Sequence, residues 1–327
     1  MNYRILVGLI LLLYQTTSFP VNTSTNYLVN HSLLLDATYT GKSCVAVGEH
    51  GVILSSDDCR NWKLVPVSVT STLTAVFFIN PESGWAVGHD AVILKTVDGG
   101  VSWKQVYSAA KDEAPLLDVY FMDEQHGLAV GAYGQYLQTD DGGASWQKKN
   151  FLALVSNSQS AQNLMPDLHL NSVNCDNNDV CYITAEAGHI FRSRDQGASW
   201  ESLESPYSGS LFGLLALTDN HSLLVYGLRG HLYRSDDNGD HWIKIITHTR
   251  ESLTNAIETV AGEIYICGMG GVILHSQDFG DTFFLTINPD LVSYSAVIET
   301  PDNNLLLTGE QGINYPRQAD LVNSGHP

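Results

Sequence analysis

From about residue 41 onward, short apolar runs alternate with turn-forming clusters at a regular interval. Each interval opens with an apolar run, as at Leu73–Ile79, Leu116–Met122 and Leu211–Leu217. A run of small and apolar residues follows, then Gly-x-x-Gly or a close variant, then a third apolar run. The copies read AVGEHGVIL (Ala46–Leu54), AVGHDAVIL (Ala86–Leu94), AVGAYGQYL (Ala129–Leu137), TAEAGHIF (Thr184–Phe191), VYGLRGHLY (Val225–Tyr233), ICGMGGVIL (Ile266–Leu274) and LTGEQGINY (Leu307–Tyr315). A polar stretch, Ser/Thr-x-Asp-x-Gly-x-x-Trp, closes the interval. It is intact at Thr96–Trp103, Thr139–Trp146, Ser193–Trp200 and Ser235–Trp242. It is altered at Ser55–Trp62, where Cys59 replaces Gly, and at Ser276–Phe283, where Phe replaces Trp.

The aromatic end of this stretch recurs about every 42 residues, with one longer interval between Trp146 and Trp200, which suits four short strands and their turns. The expected fold is all-β: a seven-bladed propeller of four-stranded blades, occupying residues 19–327 as one domain. The seventh blade has three candidate strands, Tyr294–Glu299, Leu305–Thr308 and Ile313–Tyr315, and no polar stretch after them. Its outer strand is therefore expected from Val21–Val29, ahead of the first inner strand Leu33–Tyr39, which would close an otherwise open sheet edge.

The Gly-x-x-Gly frame predicts a two-residue turn, with the glycines reaching positive φ without a Cβ clash. Between the glycines the residues differ from copy to copy: Glu49, His50, His89, Asp90, Tyr133, Glu186, Arg229, Glu310 and Gln311. In a propeller these turns share one face, so unequal side chains on an equal frame make this ring the candidate binding surface. The Asp of the polar stretch can accept hydrogen bonds from N–H groups of its own turn while the Gly takes a left-handed bend and the Trp covers apolar surface. Asp57, Asp98, Asp141, Asp195, Asp237 and Asp278 are accordingly read as structural. A catalytic site needs different residues converging on one spot, not one residue copied to every blade.

The segment GWAVGHDAVILKTVDGGVSWKQV, Gly84–Val106, is similar to the repeat of the photosystem II stability/assembly factor-like proteins, within the wider BNR or Asp-box repeat superfamily. The resemblance runs over nearly all of the chain after residue 18. It implies a seven-bladed propeller that helps to assemble membrane complexes without catalysis. Photosynthetic members carry an arginine patch on one blade face. Here the candidates are few, Arg192, Arg194, Arg229 and Arg234, which points to a non-photosynthetic bacterial member. Asp-box repeats also occur in glycoside hydrolases, so a hydrolase or a carbohydrate-binding propeller is the alternative. Its paired carboxyl groups would come from Glu49, Asp90, Glu186 and Glu310, but the arginine clamp of a sialidase is missing.

Residues 1–18 have the form of a secretory signal: Arg4, an apolar core over Ile5–Tyr14, and small residues at Thr16–Ser18. The expected location is the periplasm or outside the cell, with no membrane insertion after cleavage. The chain carries 16 Lys and Arg against 35 Asp and Glu, a formal charge of −19. That excludes nucleic acid as a natural partner and suits a basic extracytoplasmic or membrane protein; the chain is expected to be a monomer. Five cysteines fit an oxidising compartment. Cys175 and Cys181 flank a turn-rich tetrapeptide and are candidates to pair, as are Cys44 and Cys59, while Cys267 replaces a core Val of its repeat. The spacings match no zinc pattern, and no metal or cofactor is expected. The insertion Phe151–Leu170 is expected to emerge on the face of the Gly-bracketed turns.

Overall fold

The computed structural model describes residues 22–156, 165 and 167–316. The signal-like leader lies outside the described residues, as does most of the 151–170 insertion. Among the described residues seven antiparallel sheets follow one another, six of four strands and the last of three. The first blade is Leu34–Tyr39, Cys44–Gly48, Ile53–Ser56 and Lys63–Leu64, and the other blades repeat this order from centre to rim. Among the described residues no helix is long and apolar enough to cross a membrane.

The apolar pattern explains the layering. The second strand of every blade, as in Cys44–Gly48, Gly84–Gly88 and Leu305–Gly309, is buried end to end because both of its faces meet a neighbouring blade. The stretches with Val, Ala, Leu and Ile on consecutive positions are these strands. Innermost strands alternate instead, with one face toward the central channel. Aromatic side chains fill the seams between blades: Trp85 of the second blade stacks on Phe121 of the third at 3.4 Å, and Trp146 meets Phe121 edge-on at 5.7 Å.

The expected outer strand Val21–Val29 is not a strand. Asn22–His31 is an α-helix, and the seventh blade keeps three strands. The chain still takes the expected path. The carbonyl of Val29 lies against Gly312, where Val69, Tyr207 and Thr249 place theirs against Gly51, Gly188 and Gly230 in other blades. Leu28 and Val29 pack on the core of Leu306, Ile313 and Trp62. What the sequence reading missed is that a rim position, facing solvent on one side, needs only an amphipathic element and not a strand. Across the seam, the Tyr315 hydroxyl donates to the Cys59 carbonyl at 2.6 Å, Trp62 Nε1 donates to that hydroxyl at 2.9 Å, and Arg60 pairs with Asp302 at 2.8 Å.

Both expected disulfides form. Cys44–Cys59 ties the second strand of the first blade to the following turn, and Cys175–Cys181 crosses a hairpin whose ladder pairs the two residues directly. Cys267 is a buried free thiol, pushed up to about 12 by burial and therefore unreactive at neutral pH.

Candidate functional site: the hairpin-tip face and the channel beneath it

The Gly-x-x-Gly turns all lie on one face, and their geometry differs from expectation by one residue. The first glycine is extended: Gly48 has φ −173°. It is required by space, because a Cβ there would collide with the Leu33 carbonyl at the mouth of the inner strand, and Gly88, Gly131, Gly227, Gly268 and Gly309 meet the same obstacle. Positive φ falls on the last two positions of the frame, His50 (55°) with Gly51 (71°) and Arg229 (60°) with Gly230 (70°). Two consecutive left-handed residues closed by the Val52 N–H to Glu49 carbonyl bond (3.0 Å) make a type I′ turn, whose twist matches the strands. Non-glycine residues His50, Asp90, Tyr133, Ala187 and Arg229 are thus held in a sparsely populated conformation at the tips.

The predicted residues separate into two groups. Glu49 and Glu186 accept hydrogen bonds from the backbone N–H of Leu33 (3.0 Å) and His169 (2.9 Å), and Glu310 does so from Ser293 (3.3 Å). These carboxylates anchor the entry to their own blade's inner strand. Asp90 accepts the Ser71 hydroxyl at 2.5 Å. His50, His89, Tyr133, Arg229 and Gln311 are exposed at the tips, with Tyr133 set edge-on to His169 at 4.8 Å. Met269 and Leu291 add exposed apolar surface to the same face. The residues form a ring and do not converge on one point.

The four arginines do not form a patch. Arg192 is buried and pairs with Glu201 (2.6 Å) and Asp240 (2.8 Å), and Arg234 pairs with Asp236 (2.6 Å) and Asp281 (3.2 Å). Together with Arg194 they stand at the ends of third strands nearest the polar turns, on the side opposite Arg229. Nor do the described residues that open the insertion stay on the tip face. Phe151 fills the seam against Tyr136, Phe191 and Trp200, and Val155 bridges to Trp200 beside the polar turn of the fourth blade.

The polar turns follow one plan. Asp98 accepts Ser102 N–H (2.9 Å), Ser102 Oγ (2.5 Å) and Thr96 Oγ1 (2.8 Å), while Thr96 Oγ1 accepts Gly100 N–H (3.0 Å). Asp141, Asp195, Asp237 and Asp278 repeat it. These donors hold the carboxyls below their ordinary range, to about 2 for Asp141 and Asp237. In the first blade the acceptor is Asp58, not Asp57. Asp58 takes Asn61 N–H (2.7 Å) and the Ser56 hydroxyl (2.9 Å), while Asp57 is exposed and meets only Lys63 (3.2 Å). Ser56, Asp58 and Arg60 keep the spacing of Thr96, Asp98 and Gly100, with Cys59 (φ 53°) in the left-handed place of Gly99; one residue is missing between Arg60 and Trp62, so alignment on Trp62 misplaces the carboxylate by one.

Sequence reasoning missed the channel. Asp36 and Asp118 sit at the third position of inner strands, where each strand carries a bulge. Each carboxylate reaches the inner strand of the next blade: Asp36 accepts Val76 N–H (2.8 Å), and Asp118 accepts Val173 N–H (2.9 Å) and Ser172 Oγ (2.8 Å). Asn255 serves Val297 N–H in the same way at 3.1 Å. Inner strands are sheet edges, and these side chains satisfy their free donors. Burial raises both carboxyls, Asp36 to about 7 and Asp118 to about 6, against the pull of the N–H donors. The signal was present as a lone Asp in an apolar run, at Leu35-Asp36-Ala37 and Leu117-Asp118-Val119.

The family model described as photosynthesis system II assembly factor YCF48 matches residues 54–115 and 108–259, well over half of the chain. The chain belongs to this family. Its fold is similar to a structure described as YCF48 bound to D1 peptide, with 19% identity, a TM-score of 0.67, and coverage of 87% of this chain and 92% of that one. YCF48 from Cyanidioschyzon merolae is similar at 16% identity and a TM-score of 0.68, over 87% of this chain and 95% of that one. Streptogramin B lyase shares the fold at 13% identity and a TM-score of 0.72, over 88% and 95%. At such identities the likeness to each structure concerns the fold. No curated protein matches the chain in sequence.

Proposed function

We propose that this protein is a non-catalytic, extracytoplasmic assembly factor whose hairpin-tip face holds a segment of another protein belonging to a membrane-associated complex. The observation that carries this reading is the ring of tips. The frame is repeated down to its left-handed residue, yet the residue presented there changes from His50 to Asp90, Tyr133 and Arg229. Membership of the YCF48 family, in which one relative has been solved with a peptide, supports a protein segment as the ligand. The signal-like leader and the two disulfides support the extracytoplasmic setting.

The partner segment inferred from the face is polar or basic with apolar contacts, because carboxylates ring the tips while Tyr133, Met269 and Leu291 expose apolar surface. Of those four arginines only Arg229 stands there, joined by the exposed Arg250 on the loop that packs against Gly230. The test is capture of the native membrane partner by the tagged chain. Tyr133→Ala with Arg229→Glu should weaken capture by about tenfold or more at unchanged unfolding temperature. Unchanged capture would remove the site from this face. Hydrolysis of a sialoside or β-glucan that Glu186→Gln abolishes would replace the reading with an enzyme.

A further inference from the structure

The outermost strand of each four-stranded blade is an exposed sheet edge. Edges of this kind template unwanted pairing unless they are short or charged. The ladders allow a residue-by-residue comparison. The first ladder position of the outer strand is Lys63, Lys104, Gln147, Glu201, Ile243 and Phe284 in blades one to six. Five of the outer strands contain a charged residue: Lys63–Leu64, Lys104–Tyr107, Gln147–Lys148, Glu201–Ser202 and Ile243–Ile245 with Lys244. The sixth, Phe284-Leu285-Thr286-Ile287, has none and runs for four residues.

Its side chains and backbone are both presented outward. Phe284 is 51% and Ile287 49% exposed, whereas Leu285 packs on the core between the fifth and sixth blades. Asn288 N–H donates inward to the Gly271 carbonyl at 2.9 Å. By the alternation of an antiparallel ladder, the N–H and C=O groups of Leu285 and Ile287 then point away from the sheet. Acidic groups bracket the strand: Asp290 follows it, and before it stands Asp281, which pairs with Arg234 at 3.2 Å while its side chain stays 69% exposed; Asp278 is engaged by its own turn.

We propose that the outer edge of blade six, Phe284–Ile287, is a strand-addition site that takes an extended segment of another protein, apolar at its centre and carrying Lys or Arg at its ends. Backbone pairing with Leu285 and Ile287 supplies register, Phe284 and Ile287 supply apolar contact, and the flanking carboxylates select the basic ends. A second copy of this chain fits worse. Antiparallel self-pairing would bring Asp281 of each copy toward Asp290 of the other, adding like-charge repulsion to a chain of formal charge −19.

The probe is a blocked peptide, Lys-Thr-Val-Thr-Val-Thr-Lys, titrated against the full chain with amide hydrogen exchange as the readout. The expected result is saturable binding that protects the amides of Leu285 and Ile287. Phe284→Lys should weaken it by about tenfold or more without lowering the unfolding temperature, because lysine occupies the same ladder position in blades one and two. Ile287→Thr provides a second, milder variant. A peptide N-methylated on alternate residues, or one with Glu at both ends, should not bind. No binding, binding insensitive to both variants, or a concentration-dependent dimer that Phe284→Lys dissolves would each overturn the proposal.

Discussion

Replacing Asp195 by Ala isolates what the repeated polar turn contributes. The carboxylate receives Ser199 N–H (2.8 Å), Ser199 Oγ (2.6 Å) and Ser193 Oγ (2.8 Å). All three donors belong to the same turn, and Ser193 Oγ also accepts Gly197 N–H at 2.8 Å. Losing the carboxylate therefore releases one backbone donor and two hydroxyls. They do not each cost a full bond, because Asp195 and Ser199 are exposed and water replaces part of what is lost. About 1–2 kcal/mol is expected, borne by the docking of Trp200, which is 1% exposed and follows the turn directly. At roughly 2–4 °C per kcal/mol, the unfolding midpoint should fall by several degrees. Calorimetry and urea unfolding measure this. The control lies in the first blade: Asp58→Ala should destabilise and Asp57→Ala should not. A full effect at Asp57 with none at Asp58, or an unchanged midpoint for Asp195→Ala, would refute the reasoning.

Stability should also respond to pH in two opposite ways. Asp36 and Asp118 have raised folded-state values, so the unfolded chain loses their protons first and stability should fall as pH rises from about 4 to 7. The turn carboxylates Asp98, Asp195 and Asp278 are lowered, and Asp141 and Asp237 reach about 2, so their contribution should vanish as pH falls from about 4 to 2. Unfolding midpoints across pH should peak near 4 to 5, and Asp36→Asn should flatten the neutral side alone. Replacing Cys44 and Cys59 by Ser should cost about 3 kcal/mol from the freed loop, read as a lower urea midpoint. The Cys175–Cys181 pair closes a shorter loop and should cost less.

The blade pattern was legible because its causes are local and copied. The second strand must be apolar on both faces, the first glycine must clear a backbone carbonyl, and the turn Asp must face its own donors. Each requirement returns about every 42 residues, so copies reinforce one another. Departures from the pattern were the illegible parts. Asn22–His31 covers a rim where several elements would serve, so nothing in its composition demanded a strand. Asp58 was missed because a deletion between Arg60 and Trp62 shifts the turn by one. In Glu49, Glu186 and Glu310 the same side chain that faces solvent also caps a backbone N–H, and variation between copies does not distinguish the two roles. Asp36 and Asp118 depend on bulges and on the next blade, neither of which is visible in a single strand.

Internal copies supply a comparison that one sequence ordinarily lacks. Where nearly every blade keeps one residue, as at the extended glycines that only Ala185 of the fourth blade replaces, the preference is set by contact with the chain's own backbone. Where the residues differ, stability has left the choice open. At the first outer-strand position, lysine, glutamine, glutamate and isoleucine all occupy one geometry, so the frame does not demand Phe284. An exposed aromatic there gains little from burial and raises the risk of edge pairing. The tip residues follow the same logic. Asn, Asp or Gly would enter the left-handed region at lower cost, yet Tyr133 and Arg229 are held there. Folding explains neither departure, and both stand where a partner could reach them, one on the tip face and one on the rim. The two surfaces are tested by separate substitutions, and loss of binding at one leaves the other intact if they serve different partners.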